Sequence, residues 1–505
     1  MTQKEEFYNH IVESYAPKGD SITMGAAMLD GEAVTNAFVK VPLKTMNRHG
    51  LIAGATGTGK TKTLQIIAEQ LSKQGIPSLL MDIKGDLSGI AAASDGHPKI
   101  DERHDKIGFE FECRSSPVEI FTISEQDGIR MRATISEFGP VLLSRILDVT
   151  PTQAGIISVI FKYCDDNKLP LLDLADLKKA LQYATGAGKE EFKTLYGRIS
   201  TSSTGAILRK IIELEQQGAD EFFGEISFDV NDLTRRNKNG EGYVNIIRLT
   251  DIQDRPKLFS TFMLSLLAEI YSTFPEQGDS DRPELVLFID EAHLIFDNAS
   301  KALLNQIESI VKLIRSKGVG LYFVTQNPTD IPESVLSQLG LKIQHALRAF
   351  TAKDRRAIKL TAENYPDSTY YDTASVLTSL GIGEALISAL DEKGRPSPLA
   401  ATLLRAPESR MDVLDKRELD DLIADSELTD KYNEVINRES AEELLQKKIE
   451  IAHQEEVKEK AAKERSKARG SSARRASTRQ HPLIKVLTSA SFVRGILGIL
   501  GKAMK

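Results

Sequence analysis

Cysteine and long apolar runs are both scarce in this 505-residue chain. Its two cysteines, Cys113 and Cys164, belong to no CxxC or CxxH motif, which excludes a disulfide scaffold and a cysteine-based zinc site. We therefore expect a reducing compartment such as the cytoplasm. The first residues, MTQKEEFYNHIVESYAP, lack an apolar signal core, and no run of about 18 apolar residues occurs, so we expect neither secretion nor a transmembrane segment. The eight histidines, His293 among them, form no HxH or HxxH pair, so no dedicated metal site is expected.

Charge is divided unevenly along the chain. The net charge is −7, but residues 463–505 contain eleven Lys or Arg residues and one acidic residue, Glu464. This tail therefore carries a charge of +10, and the remaining 462 residues together carry −17. An acidic body argues against a protein that coats DNA with a uniformly basic surface. It permits a ring or groove with local positive charge.

Apolar runs of strand length alternate with helix-compatible stretches from about residue 50 onward. The runs typical of strands are 49–54, 77–83, 117–123, 243–249, 284–290 and 318–326, followed by a hairpin over 383–405. Helices are predicted over 62–74, 257–274 and 300–316. Strands separated by helices imply right-handed βαβ units, so the sequence predicts an α/β fold with a mostly parallel sheet.

This alternation stops between about 125 and 240, where apolar residues recur at helical spacing with few strand signals. We interpret that stretch as a helical insertion. Beyond 408 the chain is charged and helix-permissive, and KERSKARGSSARRASTRQ (463–480) is expected to be disordered in its outer part. The predicted regions are 1–45 (a short N-terminal segment), 46–124 (the first half of the core), 125–240 (the insertion), 241–405 (the second half of the core), 406–480 (a charged helical or disordered tail) and 481–505 (a basic amphipathic helix).

The strongest local motif is GATGTGKT at 54–61, which follows an apolar strand and precedes a helix, as a P-loop requires. Glycine lets backbone N–H groups close around phosphate oxygens, and the following helix directs its positive end at the same anion. Lys60 is expected to reach the β- and γ-phosphates of ATP, and the Thr61 hydroxyl to bind Mg²⁺. The predicted nucleotide-binding residues are Gly54, Ala55, Thr56, Gly57, Thr58, Gly59, Lys60, Thr61 and Lys62. The alternative is a glycine-rich turn that binds nothing.

A second motif, LVLFIDEAH at 285–293, ends an apolar strand with two acidic residues. Asp290 is predicted to hold Mg²⁺, and Glu291 to orient or deprotonate the attacking water. An acidic pair that merely caps a helix is the alternative.

Four further sites are candidates. Gln326 ends the strand run GVGLYFVTQ and is predicted to sense the γ-phosphate, the alternative being a residue of a strand-end turn. Arg315 is predicted to stabilise transition-state charge in a neighbouring subunit's site, the alternative being a solvated cation at a helix C-terminus. Arg48 is a weaker candidate of the same kind. Asp82, Lys84 and Asp86 contact nucleotide or a ligand in the pore in one interpretation and form a polar loop in the other.

GATGTGKT, LVLFIDEAH and KGVGLYFVTQNPTDIP, in this order, resemble the HerA/FtsK branch of the RecA-like P-loop ATPases. More narrowly, NRHGLIAGATGTGKT together with MDIKGDLSG resembles a bacterial subgroup of HerA helicase C-terminal-like proteins. The resemblance covers roughly residues 20–405. It implies a homohexameric ring that hydrolyses ATP with Mg²⁺ at subunit interfaces and moves double-stranded DNA through its pore. It also implies that Arg315 is an arginine finger acting on the neighbouring subunit and that Gln326 is a sensor.

Two other functions remain open from the residues. The same ATPase core could remodel or assemble proteins, or hydrolysis could be slow and the protein a regulatory ATP-binding one. The end of the tail is predicted to form an amphipathic helix. Apolar residues recur there at helical spacing between Leu483 and Leu500, and the basic residues lie mostly off that apolar stripe. Such a helix could pack on the acidic body, lie on a membrane surface, or contact nucleic acid or another partner.

Overall fold

The computed structural model describes residues 2–278, 280–296, 301–434, 436 and 438–472. The predicted amphipathic helix over 481–505 lies outside the described residues. None of the helices in the described part of the chain is both long enough and apolar enough to cross a membrane.

The strands of the described residues join one sheet of twelve. They are β1 (Ser21–Leu29), β2 (Glu32–Pro42), β3 (Gly50–Ala53), β4 (Ser78–Asp82), β5 (Val118–Thr122), β6 (Ile129–Arg130), β7 (Val244–Arg248), β8 (Leu285–Ile289), β9 (Val319–Thr325), β10 (Leu341–His345), β11 (Glu384–Ser388) and β12 (Ala400–Leu404). Their order across the sheet is β2-β1-β12-β11-β10-β3-β9-β8-β4-β7-β5-β6.

From β10 to β6 every pair of neighbouring strands is parallel, and from β2 to β10 every pair is antiparallel. Every residue of β3, β4, β8 and β9 is buried, which is the pattern of a parallel sheet with helices on both faces. The predicted α/β fold with a mostly parallel sheet is therefore confirmed.

The α-helices occur between and after these strands. They are α1 (Gln3–Ser14), α2 (Lys60–Lys73), α3 (Pro98–Ile107), α4 (Ile135–Ile146), α5 (Pro151–Asp166), α6 (Leu174–Thr185), α7 (Lys189–Leu195), α8 (Thr201–Glu215), α9 (Ala219–Phe222), α10 (Pro256–Thr273), α11 (His293–Phe296), α12 (Lys301–Ile314), α13 (Glu333–Leu336), α14 (Ala352–Glu363), α15 (Thr373–Ser379), α16 (Lys416–Ala424), α17 (Glu427–Asn433) and α18 (Ala441–Ser472). Short 3₁₀ turns span Leu43–Arg48, Ser88–Ala91, Val230–Thr234, Arg315–Lys317 and Pro328–Asp330.

The stretch predicted to be a helical insertion contains α4 to α9. Local sequence explains where these helices begin: Thr150 starts α5 with a capping box, in which its hydroxyl accepts a hydrogen bond from the Gln153 N–H, and Pro151 occupies the first turn. Residues 129–130 form β6 at the edge of the sheet, so the first residues of that stretch belong to the sheet. The predicted boundaries at 125 and 240 stay predictions.

The N-terminal segment contributes a hairpin that the sequence analysis did not predict. β1 and β2 pair in antiparallel fashion and join the sheet through β12. Their two-residue turn is Asp30-Gly31, with φ angles of 51° and 81°. Asp-Gly is the preferred sequence for such a turn, because both central residues need positive φ, so the signal was present in the sequence.

The C-terminal part of the described chain is helical up to its last residue. The first compact unit extends to Leu445, and the rest of α18 belongs to a second unit. The helix continues to Ser472, within the tail predicted to be helical or disordered, and Arg, Lys and Glu are good helix formers. The disorder expected in the outer part of 463–480 stays a prediction. Residues 473–480 lie outside the described part of the chain.

Candidate active site

Four neighbouring parallel strands bring the predicted site residues together at the carboxyl-terminal ends of the strands. In the order β3-β9-β8-β4, Ala53 pairs with Thr325, Phe323 with Ile289, and Ile289 with Met81. The segments that follow these strands therefore emerge side by side at their carboxyl ends, where parallel α/β sheets bind ligands. The P-loop, Gln326, the Asp290–Glu291 pair and the turn after β4 are thus brought together.

The P-loop runs from the end of β3 into the first turn of α2. Gly57 and Gly59 have φ angles of 77° and 106°, in the left-handed region that a side chain disfavours. Thr58 is buried and its hydroxyl donates to the Ala55 carbonyl over 2.7 Å, which closes the loop on itself. Thr56 and Gly57 are exposed, so the tip of the loop is accessible.

Lys60 lies inside this loop and is 6% exposed. Its Nζ donates to the carbonyls of Gly54 over 2.7 Å and Ala55 over 3.1 Å. Burial lowers the pKa of Lys60 and the charge of Lys84 adds to this effect, whereas Glu291 and Asp290 oppose it. A bound anion at the loop would offset the positive charges of Lys60 and Lys84.

A buried histidine, His345, contacts the helix that follows the P-loop. His345 ends β10, and its Nε2 lies 2.9 Å from the Thr63 hydroxyl on α2. The neighbouring carbonyl of Ala346 accepts a hydrogen bond from the Ala55 N–H over 2.9 Å. Burial lowers the pKa of His345 to about 4, so its imidazole is neutral. His345 was not predicted as a site residue. It is 282 residues away from Thr63 in the sequence, and nothing local to it indicates this contact.

The acidic pair follows β8 in a buried position. Asp290 and Glu291 are 4% and 8% exposed, and the Glu291 N–H donates to Asp290 Oδ1 over 2.9 Å. Burial raises the pKa of Asp290, Lys84 opposes the rise, and the adjacent Glu291 charge adds to it. Glu291 has a φ of 45°, an unfavourable conformation for a residue with a side chain. Its Oε2 is buried and accepts no hydrogen bond from the described residues, although His293 Nδ1 lies 3.2 Å away.

The turn after β4 contributes Asp82 and Lys84 in different ways. The Asp82 carboxylate accepts hydrogen bonds from the N–H groups of Gly85, Asp86 and Leu87, so it shapes the turn. Lys84 Nζ lies 2.7 Å from Glu291 Oε1 and 3.6 Å from Asp290 Oδ2. Burial lowers the pKa of Lys84, but the two carboxylates outweigh it and raise that pKa above its usual value.

Gln326 lies next to the P-loop, since β3 and β9 are neighbours, and its side chain is exposed. It lines an open cavity of about 400 Å³ together with Ala55 and Thr56. Its predicted role as a sensor stays a prediction, as do the roles of the P-loop residues and of the acidic pair.

Arg315 lies at the amino-terminal ends of the parallel strands, opposite to the P-loop. It is exposed in the turn that precedes β9, whereas Gln326 follows β9, so the length of the strand separates the two by about 20 Å. Arg48 precedes β3 and lies at the same end of the strands. The turn of Arg315 is firmly anchored, because His49 Nε2 donates to the Val311 carbonyl over 2.8 Å and Ile314 is fully buried. Within one chain, Arg315 does not reach the P-loop.

The segment 405–412 packs along one side of α2, a contact that no local sequence pattern indicates. Gln65 Nε2 donates to the Ser409 hydroxyl over 2.8 Å, and Lys62 Nζ donates to the Met411 carbonyl over 2.5 Å. The Glu69 carboxylate accepts from the Glu408 N–H over 2.7 Å and from the Ser409 N–H over 3.1 Å. The Lys62 side chain thus contacts this segment, and its predicted role in nucleotide binding stays a prediction.

Glu69 makes stability depend on pH. Burial raises its pKa to about 7 from 4.5, against the lowering effect of its hydrogen bonds. Between these two pH values the native state holds a proton that the unfolded chain has lost, so the contribution of Glu69 to the free energy of unfolding falls as pH rises and is constant above about 7. Urea unfolding at pH 5 to 8 should show wild type losing about 2.5 kcal/mol relative to Glu69→Gln across this window. The exposed Glu110→Gln serves as the control, and a wild-type-minus-variant difference that is independent of pH would contradict the prediction.

The family model described as helicase HerA-like C-terminal matches residues 28–504. The DNA double-strand break repair helicase HerA of Saccharolobus solfataricus is 25% identical over 358 residues, which cover 70% of this chain and 64% of that relative. The chain spans 64% of the length of each of the first three curated relatives that it matches.

Two solved structures share the fold. The bacterial conjugative coupling protein TrwBdeltaN70 superposes with a TM-score of 0.51 at 14% identity, over 81% of this chain and 95% of that one. The plasmid coupling protein TrwB in complex with ADP and Mg²⁺ superposes with a TM-score of 0.50 at 14% identity, over 78% and 97%. The predicted RecA-like core is therefore confirmed at the level of the fold.

Proposed function

We propose, from the premise that this chain belongs to the helicase HerA-like C-terminal family, that it is an ATP-hydrolysing motor that moves double-stranded DNA. The observation that carries the proposal is the meeting of the P-loop, the buried Asp290–Glu291 pair and Gln326 at the carboxyl ends of three adjacent strands. A phosphate-binding loop alone is compatible with binding only. A buried acidic pair beside it adds the groups that hydrolysis needs.

ATP with Mg²⁺ fits the residues at these strand ends. The backbone N–H groups of 57–62 and the start of α2 offer donors and a positive helix end to the phosphates, and Lys60 offers a buried ammonium group. The Thr61 hydroxyl and the Asp290 carboxylate are the oxygen ligands that would hold the metal. Bound Mg²⁺ would neutralise charge on the phosphate oxygens. TrwB, which shares the fold, has been solved with ADP and Mg²⁺.

Glu291 is the group proposed to act on water. Its Oε2 is a buried carboxylate oxygen that lacks a hydrogen-bond donor among the described residues, and such an oxygen is costly to leave unpaired. A water molecule is the simplest donor for it. Accepting the proton of that water would make Glu291 the general base of hydrolysis, with the Gln326 amide beside the P-loop as a second polar contact.

DNA is proposed as the polymer because of the relatives rather than the site. The family and the first curated relatives carry the name helicase, and the latter are described as acting in DNA double-strand break repair. Protein remodelling and slow, regulatory ATP binding remain the alternatives. The position of Arg315 favours an assembly, because a second subunit is needed to bring it to a P-loop.

The test is ATP hydrolysis by the full chain with and without polymer. We expect duplex DNA to raise turnover severalfold, whereas an unfolded polypeptide does not, and a ring threaded by duplex should appear in electron micrographs with ATP. Lys60→Ala should abolish both hydrolysis and its stimulation, because the phosphates lose their cationic partner. Stimulation by polypeptide alone would favour protein remodelling, and slow hydrolysis that no polymer accelerates would favour a regulatory protein.

A further inference from the structure

The groups around Glu291 point to a role for a residue outside the P-loop and the acidic pair. Of the two oxygens of this carboxylate, Oε1 receives the Lys84 ammonium at 2.7 Å, and Oε2 has no hydrogen-bond donor among the described residues. We propose that Lys84 is a positioning residue for hydrolysis, which holds Glu291 by one oxygen so that the other faces the attacking water. This inference rests on the proposed function.

Lys84 is held by a rigid turn, as a positioning residue must be. The turn between β4 and the 3₁₀ turn at Ser88–Ala91 is shaped by Asp82, which is 2% exposed and accepts three backbone N–H groups at 2.7, 3.1 and 3.2 Å. Gly85 has a φ of 76°, which lets the chain reverse there. The Ile83 carbonyl is also fixed, by the Gln253 amide at 2.9 Å. The base of the Lys84 side chain therefore has little freedom.

Glu291 needs such a restraint. Its backbone is in the left-handed region at φ 45°, which an isolated Glu does not favour, so surrounding contacts must maintain it. The backbone contacts are those of its own N–H with Asp290 Oδ1 at 2.9 Å and of the Ala292 N–H with the Val324 carbonyl at 3.0 Å. For the side chain, Lys84 is the one hydrogen-bond donor found among the described residues, with His293 nearby at 3.2 Å.

The ammonium also balances the charge of the acidic pair. Two adjacent carboxylates, both nine-tenths or more buried, repel each other, and Lys84 lies within 3.6 Å of both. With a neutral side chain at 84, the repulsion between the two carboxylates would be uncompensated, and the Glu291 side chain would be free to rotate. A small misplacement of a catalytic group lowers the rate much more than it lowers ground-state binding.

The experiment compares Lys84→Gln and Lys84→Arg in the full chain, with Lys162→Gln as the control. Lys162 is 64% exposed and its ion pair with Asp166 lies on α5, remote in sequence from the site. We expect Lys84→Gln to lower kcat about 10²-fold while KM for ATP changes less than threefold, and Lys84→Arg to restore much of the loss. Binding of a fluorescent ADP analogue with Mg²⁺, measured without turnover, should be unchanged.

A double-variant cycle decides whether Lys84 acts through Glu291. Lys84→Gln should have almost no effect on kcat in a Glu291→Gln background, because there is no longer a base to position. Equal losses in both backgrounds would overturn the proposal, as would full activity of Lys84→Gln. A tenfold loss of ADP affinity with kcat unchanged would instead place Lys84 in nucleotide binding. Absence of hydrolysis by the wild-type protein would refute the proposed function itself, and the proposal for Lys84 with it.

Discussion

Replacing Glu291 with glutamine is expected to leave ATP bound and to lower turnover about 10³-fold. The amide keeps an oxygen that can accept the Lys84 hydrogen bond, so the local structure should be preserved, but it is a poor base for a water proton. The measurements are single-turnover hydrolysis and equilibrium binding of ATP on the same preparation. The amplitude of ATP binding should match that of the wild-type protein, whereas the single-turnover rate of hydrolysis should fall.

The exposed Glu333→Gln is the matched control for this experiment, because it makes the same change on α13. Its turnover should equal that of the wild type. Near wild-type turnover in Glu291→Gln would remove this carboxylate from the role of base. Loss of ATP binding in the same variant would instead indicate that the buried acidic pair mainly supports the fold of the site.

Replacing Arg315 with alanine is expected to leave ATP binding nearly intact and to lower hydrolysis by a factor on the order of 10³, as for an arginine finger. The physical reason is its placement about 20 Å from the P-loop of its own chain, which requires a neighbouring subunit. Mixing Arg315→Ala with Lys60→Ala subunits should then restore activity above the sum of the two. In randomly mixed rings about a quarter of the interfaces would join an intact P-loop to an intact arginine.

Arg417→Ala is the control, since the Arg417 side chain is 92% exposed and paired with Asp421 on α16. It should hydrolyse ATP like the wild type and should not complement Lys60→Ala beyond addition. Strictly additive activities in the Arg315→Ala mixture, together with a monomeric and fully active wild-type protein at all concentrations, would contradict both the finger and the ring.

Much of the fold was predictable because its signals are local. The predicted apolar runs of seven to nine residues contain β4, β5, β7, β8 and β9, and the stretch with helical spacing between 125 and 240 contains α4 to α9. The strands β1, β2 and β10 were not predicted from local signals. β10 (LKIQH) alternates apolar and polar residues over a short length, and the β1–β2 hairpin was not predicted although its Asp-Gly turn is a local signal. The helix that continues to Ser472 lies within the tail that the sequence predicted to be helical or disordered.

The sequence by itself determined the phosphate-binding loop, because strand, glycines, lysine and helix are contiguous and each shapes its neighbour. It likewise placed Asp290 and Glu291 at the end of an apolar strand. Only the tertiary structure decided what surrounds these residues. Lys84 pairs with Glu291, His345 contacts α2 behind the P-loop, and residues 405–412 pack along α2. Arg315 lies at the opposite, amino-terminal ends of the strands. Those contacts depend on the order of strands across the sheet. That order is set by burial of all the strands and helices together, and no local pattern of residues encodes it.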